Sequence, residues 1–501
     1  MAKTIQKTPC IAVLGTGSDV GKSIIVTALC RWFVDQGLQV APFKAQNMSN
    51  NSGVTPEGLE MGRAQIVQAE AARIAPMVDM NPVLLKPTSE IGSQVVVLGK
   101  VSENTTASDY HSKKETLFNT AAAALRRLVQ SYDLIVMEGA GSCAEVNLMD
   151  SDIVNLRMAA HVQAPVILVA DIHRGGVFAQ IVGTLACLNP EQRDMVKGFI
   201  INRFRGDIRL FEDGINWIED RTGKKVFGVL PWYDHIHIEP EDSVVIEQPR
   251  RITAAMDGRP SIAVIRLPHI SNFNDFGPLA ALNGLRVFFL EKPQDLSQFR
   301  AVILPGSKNT RFDLQWLQTA GWSDKIWAYV QQGGHVLGIC GGYQMMGRHV
   351  HDPNGVEGRP GSTKGLNLLP VETELKAPKV TTLTKFSRLG ACGAGYEIHM
   401  GQTHRSGGTP LFEVGERNSS PTRDDDGCVS PDFKKMGTYI HGIFDNSAIT
   451  QLWLQHIGLP EIEVSELEGL EARNREYDLL AEHFARHVDM KSIMKLMRNE
   501  S

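Results

Sequence analysis

The sequence predicts an α/β protein with two doubly wound domains, and three features of the chain support this fold class. Short apolar runs alternate with longer amphipathic segments along most of the 501 residues, as expected of βαβ units. A glycine-rich loop separates the first apolar run from the first helical segment. A polar, proline-containing stretch near the middle interrupts the alternation before it resumes. We therefore expect two parallel sheets, each covered by helices.

The apolar runs of the first half are continuous and rich in β-branched residues. They end in Gly, Pro or polar residues, as buried parallel strands do. They lie at 10–15, 39–44, 133–139, 164–171, 198–203 and 226–231. Between them, residues 22–37 and 113–132 have the amphipathic spacing of helices. Residues 1–235 are therefore predicted to form the first domain.

The second half resumes the pattern after a predicted linker at 236–260, where the sequence is polar and contains proline. Its predicted strands lie at 261–269, 285–292, 300–308, 335–340, 395–401 and 436–446. The polar segment 415–429 is predicted to be an exposed loop. Helical sequence closes the chain, so the second domain is predicted to cover 261–450 and a helical tail 451–501.

Composition limits the classes of function. Hydrophobic residues make up 43% and charged residues 21%, and the net charge of −5 argues against charge-driven nucleic-acid binding. The seven cysteines are odd in number and form no CxxC pair, which argues against a disulfide framework and a structural zinc site. No apolar run is long enough to predict a membrane span. We expect the protein to be located in a reducing cytoplasm. The sequence does not indicate an oligomeric state.

The segment GTGSDVGKS follows the first predicted strand and opens the first helix. Backbone N–H groups of such a loop cradle phosphates, so Gly15 and Gly21 are predicted to bind ATP. Lys22 is expected to contact the β- and γ-phosphates, and the Ser23 hydroxyl to reach Mg²⁺. The spacing departs from the usual G-x₄-G-K-[ST], because five residues separate the two glycines. The alternative is a glycine-rich turn that binds nothing.

Polar side chains also stand where other strands of the first sheet are predicted to end, which is where open α/β sheets bind ligands. Lys44 and Asn202 are predicted to contact ATP, and Glu138 is a candidate Mg²⁺ ligand. Asp171 and Arg174 are further candidates at the same edge. The alternative for each of them is an ordinary solvated strand end.

Cys340 stands at the end of a predicted strand, before two glycines and a helix-like segment. A sharp turn into a helix supplies a positive dipole that favours a thiolate. The N–H of Gly341 can also stabilise a tetrahedral oxyanion. A nucleophilic thiol needs a base, and His441 ends another predicted strand that can bring it close. The alternatives are a buried structural cysteine and a core histidine.

The segment GICGGYQMMG around Cys340 resembles the nucleophile turn of class I glutamine amidotransferases. The resemblance implies a flavodoxin-like second domain with Cys340 as nucleophile and His441 as its catalytic partner. It also implies that the ILPGSKNT segment, with Gly306, contributes an oxyanion-hole amide. Gln344 matches the family glutamine that touches the substrate.

The sequence departs from that family at the acidic partner of the histidine. A glutamate usually stands two positions after the histidine, and here that position is Ile443. The base either lacks an acidic partner or uses another residue, such as Asp445 or Glu397. The sequence does not decide between them.

The first domain also carries a resemblance. Its glycine-rich loop is similar to the P-loop of dethiobiotin synthetases, which activate carboxylates with ATP, and VMEGAGS is similar to their Mg²⁺-binding segment. Together with PFKAQNMSNNS and ADIHRGGVFAQ, the motifs resemble the cobyric acid synthase family across nearly the whole chain. The resemblance implies a P-loop NTPase-like sheet, the cofactors ATP and Mg²⁺, and glutamine and a corrinoid as substrates.

That resemblance further implies the reaction. It is the ATP- and glutamine-dependent amidation of the b, d, e and g carboxylates of adenosylcobyrinic acid a,c-diamide, in cobalamin biosynthesis. Cobyrinic acid a,c-diamide synthase, with the same chemistry on other carboxylates, is the nearest alternative. A P-loop scaffold ATPase with a degenerate amidotransferase domain is disfavoured by the intact Cys340, Gln344 and His441. A Cys-His peptidase is disfavoured by the pairing of PGS with CGGYQ.

Overall fold

The computed structural model describes residues 9–87, 92–106, 113–239 and 258–498, and it confirms two α/β domains. The first domain is built on a six-stranded sheet in which every neighbouring pair is parallel. Its strands are apolar and buried because helices cover both faces. In sheet order they are Lys225–Pro231, Val196–Phe204, Val166–Asp171, Cys10–Gly15, Leu134–Glu138 and Val40–Phe43.

The helices of the first domain include both predicted ones. They are Lys22–Asp35, Arg63–Ala71, Lys114–Ser131, Leu156–Val162, Val177–Cys187, Pro190–Met195 and Glu212–Thr222. A smaller sheet of Gln46–Met48, Val83–Pro87, Gly92–Val97 and Lys100–Thr106 lies beside them. The antiparallel strands Ser52–Val54 and Glu60–Gly62 form what we call the docking hairpin.

The second domain contains a parallel sheet extended by one antiparallel edge strand. In sheet order its strands are Arg286–Leu290, Ser261–Ile265, Ala301–Leu304, His335–Ile339, Lys435–Thr438 and Cys428–Val429. Two further strands, Ile270–Ser271 and Gly306–Ser307, pair beside its carboxyl end. The helices of this domain are Gly277–Ala280, Thr310–Thr319, Trp322–Gln331, Gly341–Met346 and Ser447–His456.

A second sheet in this domain contains a segment whose predicted conformation was wrong. Its strands are Gly361–Lys364, His349–Asp352, Val371–Arg388, Ala391–Arg405, Phe412–Arg417 and Ser420–Asp426. The predicted loop 415–429 is largely an antiparallel hairpin, turning through Asn418 and Ser419, which both have positive φ. Such a turn matches the twist of paired strands. The charged sequence hides the hairpin, because the strand Ser420–Asp426 is mostly exposed and lacks an apolar face.

The docking hairpin joins the two domains. Its Val54 is buried with Tyr396 and Ile398 of the second domain, and Ser52 N–H donates to Asn272 Oδ1 at 3.0 Å. In the predicted linker, residues 240–257 lie outside the described residues, while Glu239 forms an ion pair with Arg63 at 2.7 Å. The domain boundaries themselves stay predictions.

The helical tail returns to the first domain. Its helices are Gly469–His487 and Met490–Arg498, and the first of them packs against the helix Lys22–Asp35, where Leu480 and Phe484 enter the core. Arg31 is buried at this contact and donates to Asp478 Oδ1 at 2.7 Å and to Asn474 Oδ1 at 2.9 Å. Within the described ranges, no helix combines the length and apolarity needed to cross a membrane.

Candidate active sites

The glycine-rich loop forms the first site, which we call the phosphate site. Gly15 ends the central strand, and Gly21 has a φ of 99°, a conformation that L side chains rarely adopt. An added Cβ at Gly21 would also lie 2.0 Å from Asn202 Nδ2. Lys22 Nζ donates to the carbonyl oxygens of Gly17 and Gly141, each at 3.0 Å. The Lys22 side chain therefore lies against the glycine-rich loop, where it was predicted to contact phosphates.

Glu138 accepts hydrogen bonds from three other polar side chains of the phosphate site. It is buried at the end of the strand Leu134–Glu138, where its Oε1 accepts from Ser23 Oγ and Lys44 Nζ, both at 2.8 Å. The other carboxylate oxygen accepts from Gln68 Nε2. Lys44 and Glu138 thus meet as expected of neighbouring strand ends, and Ser23 reaches Glu138 from the start of the first helix. Gln68 comes from another helix and carries no motif that would have indicated it.

The neighbouring strand ends also reach the loop. Asn202 Nδ2 donates to Val20 O at 2.9 Å. Asp171 accepts from Arg203 Nη1 at 2.9 Å, and Arg203 also forms an ion pair with Asp19 in the loop at 3.0 Å. Arg203 was not predicted as a site residue, although it is the last residue of the predicted strand 198–203. Arg174 is exposed in the turn after Asp171, and its side chain forms no hydrogen bond or ion pair with any residue in the described ranges.

The donor set of the phosphate site suits a hard cation. Hydroxyl and carboxylate oxygens are the ligands that Mg²⁺ prefers, and it usually takes one or two from protein and the rest from phosphates and water. Ser23 and Glu138 supply such oxygens 2.8 Å apart. Across the described ranges, no group of three or more His, Cys, Asp or Glu side chains is arranged for a metal ion. Ser23 and Glu138 are therefore the residues that fit the predicted ion.

Cys340 forms the centre of the second site, which we call the thiol site. It lies between the strand His335–Ile339 and the helix Gly341–Met346, with φ 50° and ψ −108°, a strained conformation for a residue with a side chain. Its N–H donates to Thr438 O at 2.8 Å. A Cβ at Gly341 would lie 2.8 Å from Ser307 N. Tight packing around the turn therefore holds the thiol in place.

His441 faces the thiol from the neighbouring strand end. Its side chain is buried, interacts electrostatically with Cys340 and stacks on the ring of Tyr396 with centroids 5.2 Å apart. Its Nδ1 lies 2.7 Å from Asp275 Oδ2. Burial would lower the pKa of His441, but the Asp275 carboxylate and the Cys340 sulfur more than offset this and raise it to about 10. The surroundings of His441 therefore favour its imidazolium form.

Asp275 is the acidic partner that the sequence left unassigned. Besides the contact with His441, its Oδ1 accepts the Gly442 N–H at 3.0 Å. Asp445 lies 3.8 Å from Arg473 instead, and Glu397 accepts from Thr384 and Arg417. No motif indicated Asp275, because it lies 166 residues before the histidine in a short helical turn.

The remaining predicted residues of the thiol site lie close to it. Gly306 faces His441, since an added Cβ would lie 3.1 Å from His441 Cε1. Gln344 is buried behind Cys340. Its Oε1 accepts from Thr310 Oγ1 at 2.9 Å, and its Nε2 donates to Tyr439 OH at 3.1 Å. Both ends of this amide are therefore engaged by protein groups.

Comparisons with known proteins assign each half of the chain to a domain family. Residues 261–449 match the family model described as a CobB/CobQ-like glutamine amidotransferase domain. Residues 11–244 match that of a CobQ/CobB/MinD/ParA nucleotide binding domain. The protein is thus an enzyme, a glutamine amidotransferase fused to a nucleotide-binding domain.

Relatives that match nearly the whole chain identify the family within this class of enzymes. The cobyric acid synthase of Chlorobium phaeobacteroides is 52% identical over 97% of this chain and 99% of its own length. Those of Chlorobaculum tepidum and Yersinia enterocolitica are 48% and 47% identical, each over 97% of this chain and over 97% and 98% of their own lengths. This chain belongs to the cobyric acid synthase family. The match does not favour the diamide synthase or scaffold ATPase alternatives.

Proposed function

We propose that this enzyme amidates the b, d, e and g carboxylates of adenosylcobyrinic acid a,c-diamide, giving adenosylcobyric acid in cobalamin biosynthesis. One glutamine and one ATP are consumed for each amide. The observation that carries the proposal is the meeting of Cys340, His441 and Asp275 in one chain with a glycine-rich loop beside Glu138. The corrinoid substrate is inferred from the names of the relatives.

At the thiol site, Cys340 Sγ attacks the side-chain amide carbon of glutamine. The proposed oxyanion donors are the Gly341 N–H and the loop at Gly306, and one such donor is worth about 10²–10³-fold in rate. His441, held as imidazolium by Asp275, gives its proton to the departing nitrogen. The C–N bond breaks, ammonia leaves, and a thioester remains. Water then attacks the thioester, releasing glutamate and the thiol.

At the phosphate site, a corrinoid carboxylate oxygen attacks the γ-phosphorus of ATP and ADP leaves. The backbone at Gly15 and Gly21 is proposed to cradle the phosphates, with Lys22 and Lys44 offsetting the charge of the transferring group. Ammonia then attacks the acyl phosphate, forming the amide and releasing phosphate. Asp171, Arg174 and Asn202 are proposed to position the nucleotide from the neighbouring strand ends.

Ser23 and Glu138 are proposed to hold Mg²⁺, which neutralises phosphate charge when bound. A reactive thiol at Cys340 fits a reducing compartment, so the proposal includes a cytoplasmic location. The partners are then small molecules, namely glutamine, ATP and the corrinoid.

The test is a single reaction followed in two ways. Purified protein is incubated with glutamine and ATP–Mg²⁺, with and without adenosylcobyrinic acid a,c-diamide, and glutamate and corrinoid masses are measured. We expect four successive replacements of OH by NH₂, each matched by one glutamate. Glutamate release without any change in corrinoid mass would overturn the proposed acceptor, and a product stopped after two amidations would contradict the proposed set of carboxylates.

A further inference from the structure

The acid of the thiol site is held by a turn that touches the other domain. Asp275 lies in the helical turn Phe273–Phe276, and its N–H donates to Asn272 O at 3.1 Å. Asn272 itself adopts the left-handed conformation, with φ 52° and ψ 43°. Its side-chain oxygen accepts the Ser52 N–H of the docking hairpin at 3.0 Å. Asn272 and Ser52 have exposed fractions of 2% and 0%. Water therefore cannot take the place of either partner in this hydrogen bond.

The docking hairpin is itself fixed by buried charges. Ser52 Oγ donates to Glu60 Oε1 at 2.8 Å, and Lys86 Nζ lies 2.7 Å from the same carboxylate oxygen. From the second domain, Lys379 Nζ reaches Glu60 Oε2 at 2.6 Å. Burial would raise the pKa of Glu60, but the two ammonium groups hold it far below its usual range. Ser52 therefore presents its N–H to Asn272 from a rigid support.

We propose that Asn272 is a positioning residue for glutamine hydrolysis, which acts by anchoring the turn of Asp275 to the docking hairpin of the first domain. The thiol site is then complete only when the two domains are docked. Loss of the anchor lets the Asp275 carboxylate drift from His441 Nδ1, although Cys340 and the glutamine pocket stay intact. The inference rests on the proposed hydrolysis of glutamine at Cys340.

The chain offers a matched control for this contact. Asn418 also has a left-handed φ, 46°, and it also lies against the docking hairpin, where a Cβ at Gly58 would be 2.5 Å from its Nδ2. Its side chain accepts the Leu383 N–H at 2.8 Å and lies outside the turn that holds Asp275. Substitution to glycine at either asparagine removes an amide at the interface while keeping the backbone conformation accessible.

The experiment compares N272G, N272D and N418G with the parent protein. For N272G we expect kcat for glutamate release to fall about 10–100-fold, the usual cost of removing a group that orients a functional side chain. KM for glutamine should stay near the parent value, because no group proposed to bind glutamine is removed. Amidation supported by free ammonia should persist. N272D, which keeps an oxygen acceptor for Ser52 N–H, should recover most of kcat, and N418G should behave as the parent.

Two results would overturn the inference. One is a kcat for N272G equal to that of N418G. The other is an equal loss of glutamine- and ammonia-dependent amidation in N272G, which would indicate general damage to the interface or the fold. The proposed function has a separate outcome, because it fails if the parent protein itself releases no glutamate from glutamine.

Discussion

The phosphate site and the thiol site are assembled in opposite ways. The central groups of the phosphate site come from one domain and from consecutive strand ends of one parallel sheet, and Glu138 binds Ser23 and Lys44 directly. The thiol site takes Cys340 and His441 from two strand ends but Asp275 from a separate turn, which is tied to the other domain through Asn272. The central groups of the phosphate site thus lie within one domain, whereas the proposed chemistry of the thiol site depends on the docked pair of domains.

The largest expected effect separates the two sites completely. In C340A, glutamine-dependent amidation should fall by more than about 10⁴-fold, because the proposed nucleophile is lost. Amidation with free ammonia should remain, since Lys22 and Glu138 are untouched. Corrinoid mass spectrometry with each nitrogen source provides the measurement. Loss of the ammonia reaction as well, with ATP still bound, would refute the division of labour.

The next effect tests whether the distant carboxylate belongs to the thiol site. D275N should lower kcat for glutamate release by about 10³–10⁴-fold, as is typical when the acid of a triad becomes an amide. D445N, the substitution at the carboxylate four residues after the histidine, should change the rate little, because Asp445 lies near Arg473 instead. Steady-state glutaminase assays of both variants decide this, and a reversed order would assign the role to Asp445.

A change at the phosphate site should show the opposite pattern. K22M should lower amidation by about 10²–10³-fold with either glutamine or ammonia, since the variant lacks the ammonium group proposed to offset charge on the transferring phosphoryl group. Glutamate release in the absence of corrinoid should continue. K197M, at an exposed lysine of the same domain, is the control. If K22M retained ammonia-dependent amidation, the loop would have no role in activating the carboxylate.

The smallest expected effect is on the pH dependence of kcat/KM for glutamine hydrolysis. In the proposed mechanism the departing nitrogen takes its proton from the His441 imidazolium, whose pKa is raised to about 10. Glutaminase kcat/KM should therefore persist at alkaline pH and fall as the pH rises through about 10. In D275N the falling limb should move to lower pH, because a neutral amide no longer favours the imidazolium. Identical limbs in the parent and D275N would show that another group controls the profile.

These comparisons also indicate what the sequence could predict. Every strand of the first sheet was predicted, because continuous apolar runs are typical of strands buried on both faces. The glycine-rich loop and Glu138 were indicated by short motifs next to those strands, and Cys340 and His441 by motifs next to predicted strands of the second domain. Asp275 was not, since its position depends on a turn brought close only by the folded chain. The hairpin at 412–426 was missed because its second strand is exposed and charged.

The return of the last helices to the first domain has a consequence for synthesis. Arg31 is buried, yet its partner Asp478 lies 447 residues later in the chain. At a typical rate of about 5–20 residues per second, a ribosome needs roughly 20–90 s to make that stretch. During this time Arg31 has no Asp478 carboxylate to pair with, and the apolar face later covered by Leu480 and Phe484 stays open. A chain that terminates before residue 469 lacks Asp478 and the helix that covers this apolar face. We therefore expect truncated products to aggregate, even though the residues of both sites precede residue 469.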